Sequence, residues 1–206
     1  MAVLIDTRTG PIVQADGAGD QPLRQGRLAA LVVSDGHPRY YEQALRQATF
    51  FAATQAGQTT TVGLATTYVG LVLSNPIGNT KLLVPTKVTF GWGAVPAAVD
   101  TVGIALGYNA TSNVTHTTPV TPRSTYFGSG PTPTALADTS ATLPTAPFYY
   151  AFLGNTPTAT TSPNGAQMDL EGSVIIPPGG YILTATTAAS QTTAFFASIQ
   201  WEEIVP

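Results

Sequence analysis

Thr, Gly, Pro and Ser interrupt every apolar stretch of this 206-residue chain, and that punctuation limits what it can fold into. No run approaches the ~20 consecutive apolar residues of a membrane-spanning helix. Past residue 50 no segment carries a convincing helical pattern. Thr, Val, Tyr and Phe favour a pleated, half-buried surface, while 20 Gly and 17 Pro supply turns. Apolar residues make up 43% of the chain and charged residues 9%, with a net charge of −3. Disorder needs the reverse, low hydrophobicity and high net charge, so a folded all-β chain is expected. Ordinary globular chains carry about 25% charged residues. A surface this poor in charge is suited to contact with other protein, and we read the chain as an assembly subunit.

The period-2 signal is strongest toward the C-terminus. Phe195 to Ile204 puts Phe195, Ala197, Ile199 and Trp201 on one face and Phe196, Ser198, Gln200 and Glu202 on the other. Met168 to Ile176 alternates in the same way. It runs through the turn Pro177-Pro178-Gly179-Gly180 into Tyr181–Thr187, which predicts a hairpin. Further strands are expected at Phe50–Ala53, Thr59–Leu64, Tyr68–Ser74, Lys81–Trp92, Thr101–Tyr108 and Phe148–Leu153. In Lys81–Trp92 the alternation places Val84, Thr86, Val88 and Phe90 on one side. Pro85 predicts an edge strand, a bulge or a break there. Residues 109–147 are mostly Thr, Pro, Ser, Gly and Ala and read as a long irregular loop. Some eight short strands with no fixed-period repeat describe a two-sheet antiparallel sandwich, a jelly roll with an immunoglobulin-like sandwich as its rival.

The first 50 residues are a different object. They hold ten of the nineteen charged side chains, and their apolar pieces, Ile12-Val13 and Leu28 to Val33, are too short to bury a core. We expect an extended docking arm over 1–50 that becomes ordered against a neighbour, and a sandwich domain over 51–206. Pro38 to Gln47 reads as a short helix or as an extended piece. Arg24, Arg27, Arg39 and Arg46 are the candidate docking charges. Leu31, Val33, Tyr40, Tyr41 and Leu45 are the candidate apolar anchors.

Chemistry is sparse. The chain has no cysteine, so disulfides, thiolate metal sites and cysteine nucleophiles are excluded, and neither a metal nor another cofactor is expected. Asp16-Gly17-Ala18-Gly19-Asp20 lacks the spacing of a calcium loop and reads as a turn. The eight Lys and Arg form no basic stripe, which disfavours nucleic acid. His37 and His116 are the two histidines, and no carboxylate stands within a few residues of His116 to orient it. No Gly-x-Ser-x-Gly elbow offers a serine. The acidic pairs Asp169/Glu171 and Glu202/Glu203 are the candidates for glycoside hydrolysis, and their strand positions read instead as a wet face and a strand end. A non-enzymatic protein is expected. Tyr126-Phe127 and Tyr149-Tyr150 are candidate surface aromatics for a sugar or another subunit, with core or interface packing as the commoner fate of such pairs. Asp6 and Arg8 stand where an export signal would have its apolar core, so synthesis in a cytoplasm is expected.

The segment Gly26-Arg27-Leu28-Ala29-Ala30-Leu31-Val32-Val33-Ser34-Asp35-Gly36-His37-Pro38-Arg39-Tyr40-Tyr41-Glu42 continues through Thr49-Phe50-Phe51-Ala52-Ala53 and Thr59 to Pro76. Together with the ending Trp201-Glu202-Glu203-Ile204, it resembles small structural proteins of tailed bacteriophages. The resemblance is best over 26–92 and the last ten residues. It implies a virion subunit, made in the host cytoplasm, with a jelly roll held on the particle by its arm and trimers as the usual arrangement. The partners implied are other copies of the chain and the major capsid protein or head–tail proteins, without nucleic acid or membrane. Capsid decoration and a fibre, spike or collar part both fit. In the second case a host-surface glycan becomes a partner. A carbohydrate-binding module or depolymerase is the reading from another class.

Overall fold

The structure, a computed structural model, describes residues 7–8, 23–24, 48–60, 64–94, 99–128, 130–156, 165–187 and 195–206, of which 7–8, 23–24 and 156 are described by backbone alone. The chain divides into two compact units, Met1–Glu42 and Gln43–Pro206, a boundary eight residues earlier than the expected 50/51. In the first unit β1 (Thr7–Arg8) pairs in parallel with β2 (Leu23–Arg24). Arg24 lies in β2; Arg27, Leu31, Val33, Arg39, Tyr40 and Tyr41, together with the expected helix at 38–47, lie outside the described residues, as do Leu45 and Arg46 of the second unit.

The second unit is all-β in its described residues. Its strands are β3 (Thr49–Ala53), β4 (Thr67–Ser74), β5 (Leu82–Trp92), β6 (Asp100–Tyr108), β7 (Thr115–Val120), β8 (Arg123–Ser124), β9 (Leu136–Thr142), β10 (Phe148–Thr156), β11 (Ala166–Asp169), β12 (Gly180–Thr186) and β13 (Phe195–Ile204). They form two antiparallel sheets, one in the order β10-β6-β12-β4-β9-β7 and the other β11-β5-β13-β3-β8. With β7, β8 and β9 set aside, the order β3-β13-β5-β11 faces β4-β12-β6-β10, and the chain crosses between sheets at all but one of its steps. That wrapping is a jelly roll.

The core lies between the sheets. Trp201 and Phe195 on β13 are fully buried, Phe50 packs on Trp201 with ring centroids 6.0 Å apart, and Trp92 meets Phe195 edge-on at 5.1 Å. Leu71, Leu73, Ile104 and Ile182 close it from the six-stranded sheet. A second apolar layer covers the outer face of that sheet. Val72, Tyr68, Tyr181 and Leu183 point away from the core into a separate cluster with Val114 and Leu143. This double burial is why Tyr68–Ser74 reads as continuous apolar sequence, the pattern of a strand covered on both faces.

Four expectations need correction. Residues 109–147 are no irregular loop: β7 and β9 extend the six-stranded sheet beyond β4, and β8 adds to β3. Thr-rich sequence carries strand propensity that its Pro and Gly neighbours mask, and bulges beside Thr118 accommodate Pro119 on the edge. The hairpin expected around Pro177 does not form, because β11 stops at Asp169 and Glu171 (φ 40°) and Gly172 (φ 84°) turn the chain. The Pro177–Gly180 turn then leads into the opposite sheet. Its Gly179 has φ 86°, and a Cβ there would strike the Asn109 carbonyl. In β5, Pro85 is accommodated by a bulge and the strand is interior. Trp201 pairs with Pro85 and Gln200 with Lys87, so Thr86 is the extra residue and its carbonyl accepts from the Leu170 and Glu171 N–H groups. The bulge reverses the parity, and Leu83, not Val84, joins Val88 and Phe90 in the core. Finally, Thr59–Leu64 is not a strand where it is described, apart from a bridge just before it between Gln58 and Phe195.

Trp201 also leaves its indole N–H without a hydrogen bond inside this core. Trp201→Ala is expected to cost ~3–5 kcal/mol of unfolding free energy. Trp201→Phe, which keeps most of the ring volume and removes the unsatisfied N–H, is expected to cost less than half as much. Urea denaturation of the two variants checks the difference.

Candidate functional site

The features that could carry function cluster on the added strands and the loops beside them. Tyr126 and Phe127 follow β8 in a tight turn, in which the Ser124 hydroxyl accepts the Tyr126 N–H at 3.1 Å. Phe127 is 84% exposed, the largest value among the big apolar side chains described, and Tyr126 is 46% exposed. Tyr126 and Phe127 therefore lie on the surface, as does Tyr150, whereas Tyr149 packs against the outer apolar layer. Upstream, the Thr125 N–H bonds to the Thr49 carbonyl at 3.0 Å and ties the turn to β3.

His116 has a carboxylate partner that short-range reading missed. Its Nδ1 contacts Oδ2 of Asp138, 22 residues away, because β7 and β9 are neighbours. The Asp138 side chain is fully buried and its Oδ1 makes no hydrogen bond, so the imidazole is the one partner of this carboxylate. His116 also lines a cleft of about 190 Å³ with Ser74, Pro76, Asn113, Leu136 and Gly179. An imidazole oriented by a buried aspartate is the base-and-orienter half of a nucleophilic relay. Ser74, the hydroxyl of this cleft, donates to the Leu136 carbonyl at 3.4 Å. Here the pair holds edge strand β7 to β9. His37 lies outside the described residues.

The acidic pairs are separated by the fold. Asp169 and Glu171 are exposed, the first accepting from Gln167 and the second lying in the turn. Glu202 and Glu203 face opposite sides of β13. Glu203 is buried in a network that ties four segments together. Its Oε1 accepts the N–H groups of Thr134 (2.7 Å) and Ala135 (3.0 Å), and its Oε2 accepts Lys81 Nζ (2.9 Å) and the Thr134 hydroxyl (2.8 Å). Asn79 donates to Thr134 Oγ1 at 2.9 Å and to Asn75 Oδ1 at 2.6 Å. The buried Asn75 donates in turn to the Lys81 and Ile176 carbonyls at 2.9 and 3.0 Å. Burial pushes the Glu203 carboxyl up, but Lys81, the Ala135 N–H and Thr134 together outweigh it and hold the group below the usual carboxylate range.

Among the described residues, no cluster of three or more His, Asp or Glu is placed to hold a metal ion. Comparison with protein-family models, with curated proteins and with solved structures finds no match to this chain.

Two outcomes follow from the charges. The folded-state carboxyl of Glu203 titrates below its unfolded value, so its contribution is complete above the ordinary carboxylate range and is lost as pH falls through the lower folded value. Glu203→Gln is therefore expected to cost about 2–3 kcal/mol at pH 7, with the gap to the wild type closing in acid. Chemical denaturation from pH 7 to pH 3 checks this. His116→Ala leaves the buried Asp138 carboxyl without its hydrogen-bond partner and is expected to cost ~1–3 kcal/mol. Adding Asp138→Ala should recover part of that loss in a double-mutant cycle read by thermal unfolding.

Proposed function

We propose that this chain is a non-enzymatic structural subunit of a tailed-bacteriophage particle, a capsid decoration protein that docks through its N-terminal arm and works as a homo-oligomer, a trimer in its simplest form. The observation that carries the reading is the contrast between the two units. Gln43–Pro206 is a jelly roll that exposes aromatic side chains and is poor in charge, whereas Met1–Glu42 holds nine of the nineteen charged residues. A chain so divided suits one unit for packing and the other for attachment. On this reading Arg24, Arg27, Arg39 and Arg46 pair with carboxylates of the major capsid protein, and Leu31, Val33, Tyr40, Tyr41 and Leu45 add apolar contact at ~25 cal/mol per Å² removed from water. Several arms on one oligomer multiply the affinity.

The exposed Tyr126–Phe127 turn favours a second reading, a fibre, spike or collar component whose turn meets the host surface, including its glycans. Both place the protein in the virion after synthesis in the host cytoplasm.

Quantitative mass spectrometry of purified particles separates them. Decoration is expected to give a copy number close to that of the major shell protein. A few per cent of it would favour the tail or collar, and absence from the particle would sink both. Limited trypsin digestion of the free protein is expected to cut at Arg24, Arg27, Arg39 or Arg46 and leave a resistant fragment starting near residue 47.

A further inference from the structure

Every open sheet edge is a row of unpaired backbone donors and acceptors, and folded proteins blunt such edges with shortness, charge, proline or bulges. Among the described residues, three of the four edges of the sandwich are blunted. β8 is two residues long, β11 is four residues long and ends on the exposed Asp169, and β7 carries Pro119 and an almost wholly exposed, polar set of side chains. β10 differs. It runs nine residues, Phe148–Thr156 (FYYAFLGNT), without a charge or a proline, and among the described residues it pairs on one side only, with β6. Phe148, Tyr150 and Phe152 are 58%, 43% and 56% exposed. At its start lies an apolar groove of about 180 Å³ lined by Tyr108, Phe148, Ile175 and Pro177. Tyr108 and Ile175 are themselves more than half exposed.

We propose that β10 is a pairing edge at which two copies of this chain join, antiparallel, about a two-fold axis. The occupant of such an edge must bring an uncharged strand of its own with a free side and apolar side chains to match. Among the described residues β10 itself is the strand that does so, and an antiparallel two-fold contact is self-complementary. Area agrees. Phe148, opposite Leu106, stands on the core-facing side of β10 with Tyr108, and Phe152, opposite Gly103, on the outer side, so a joined sheet would use both faces. Aromatic side chains cover about 150–250 Å² each, and these three with Tyr150, about half exposed, leave on the order of 400 Å² of apolar surface. Backbone and flanking atoms bring that toward the ~800 Å² per partner of a stable interface. Bulges between Tyr149 and Ala151 and between Phe152 and Gly154 bend the strand and shorten the ladder that can form. The aromatic pairs across the axis therefore supply most of the affinity, with a few backbone bonds setting the register. This edge leaves room for a three-fold contact elsewhere on the sandwich, in which case copies associate in sixes.

The test is the mass of the full chain in solution, by native mass spectrometry and sedimentation at micromolar concentration. The expected wild-type mass is an even multiple of 21.3 kDa. Tyr150→Lys and Phe152→Lys should halve it, or weaken association at least 100-fold; Tyr150→Lys should leave thermal midpoint and circular dichroism unchanged because that side chain is exposed, whereas Phe152→Lys also gives up the ring contact with Tyr149 at 4.8 Å. The chain has no cysteine, so Tyr150→Cys supplies a single thiol whose oxidation should yield a covalent dimer. That readout stands even if a lysine variant misfolds. A monomer or trimer whose mass the lysine variants leave alone, or a Tyr150→Cys protein that stays monomeric on oxidation, would overturn the proposal and give the edge to the arm or to a different protein. Copy number on particles is untouched by either result, so this inference and the virion reading fail separately.

Discussion

A buried carboxylate with four donors holds the point on which this sandwich is registered. Glu203 sits at the end of β13, the strand that carries Trp201 and Phe195 into the core, and it binds the turn after β4 through Lys81 and the approach to β9 through Thr134 and Ala135. Asn75 and Asn79 extend the same network to Ile176. Hydrophobic burial supplies the driving force but has no direction; this set of bonds decides which loop stands over which strand end. Removing Glu203 or one of its donors is costly because the carboxylate is itself buried and cannot turn to water for the missing bond.

The rest of the architecture distributes apolar surface unevenly. The six-stranded sheet is covered on both faces, by the core on one side and by the Val114 and Leu143 layer on the other. Several of the exposed apolar side chains fall at its margin, on β10 and at the end of β6, and others at the turn after β8. With few charges to keep neighbours apart, these margins are where contact with other protein is favoured. Charge is denser in the first unit, which holds nine of the nineteen charged residues in its 42 positions.

Much of this was legible in residue order. Phe195, Ala197, Ile199 and Trp201 are all buried as their alternation requires, and Tyr68–Ser74, Thr101–Tyr108 and Phe148–Leu153 all fall within strands. Parity arguments failed where one residue was inserted. The Thr86 bulge shifts every position before it by one, which moves Val84 out of the core and Leu83 into it, and nothing local announces the bulge except Pro85. Met168 to Ile176 shows the converse: Leu170, Val174 and Ile176 are buried as the alternation predicts, yet Glu171 and Gly172 make the segment a turn. Alternation reports burial, and burial does not require a strand. The His116–Asp138 pair was hidden for a different reason. It depends on β7 lying beside β9, a pairing that only the register of two Thr-rich strands creates, and the reading of 109–147 as loop removed the context in which those residues meet.

The added strands have a consequence for what this scaffold tolerates. The stretch between β6 and β10 is fastened by Val114 and Leu143 at its ends, by β8 on β3, and by Thr134 and Ala135 on Glu203. Between the last two fastenings, among the described residues from Tyr126 to Pro133, the internal backbone bond is Gly130 N–H to the Tyr126 carbonyl at 3.1 Å. A turn anchored on both flanks and held by little of its own is a natural display position. Gly128, at its tip, has nothing within 4 Å of where a side chain would start, so bulk added there meets neither sheet nor core.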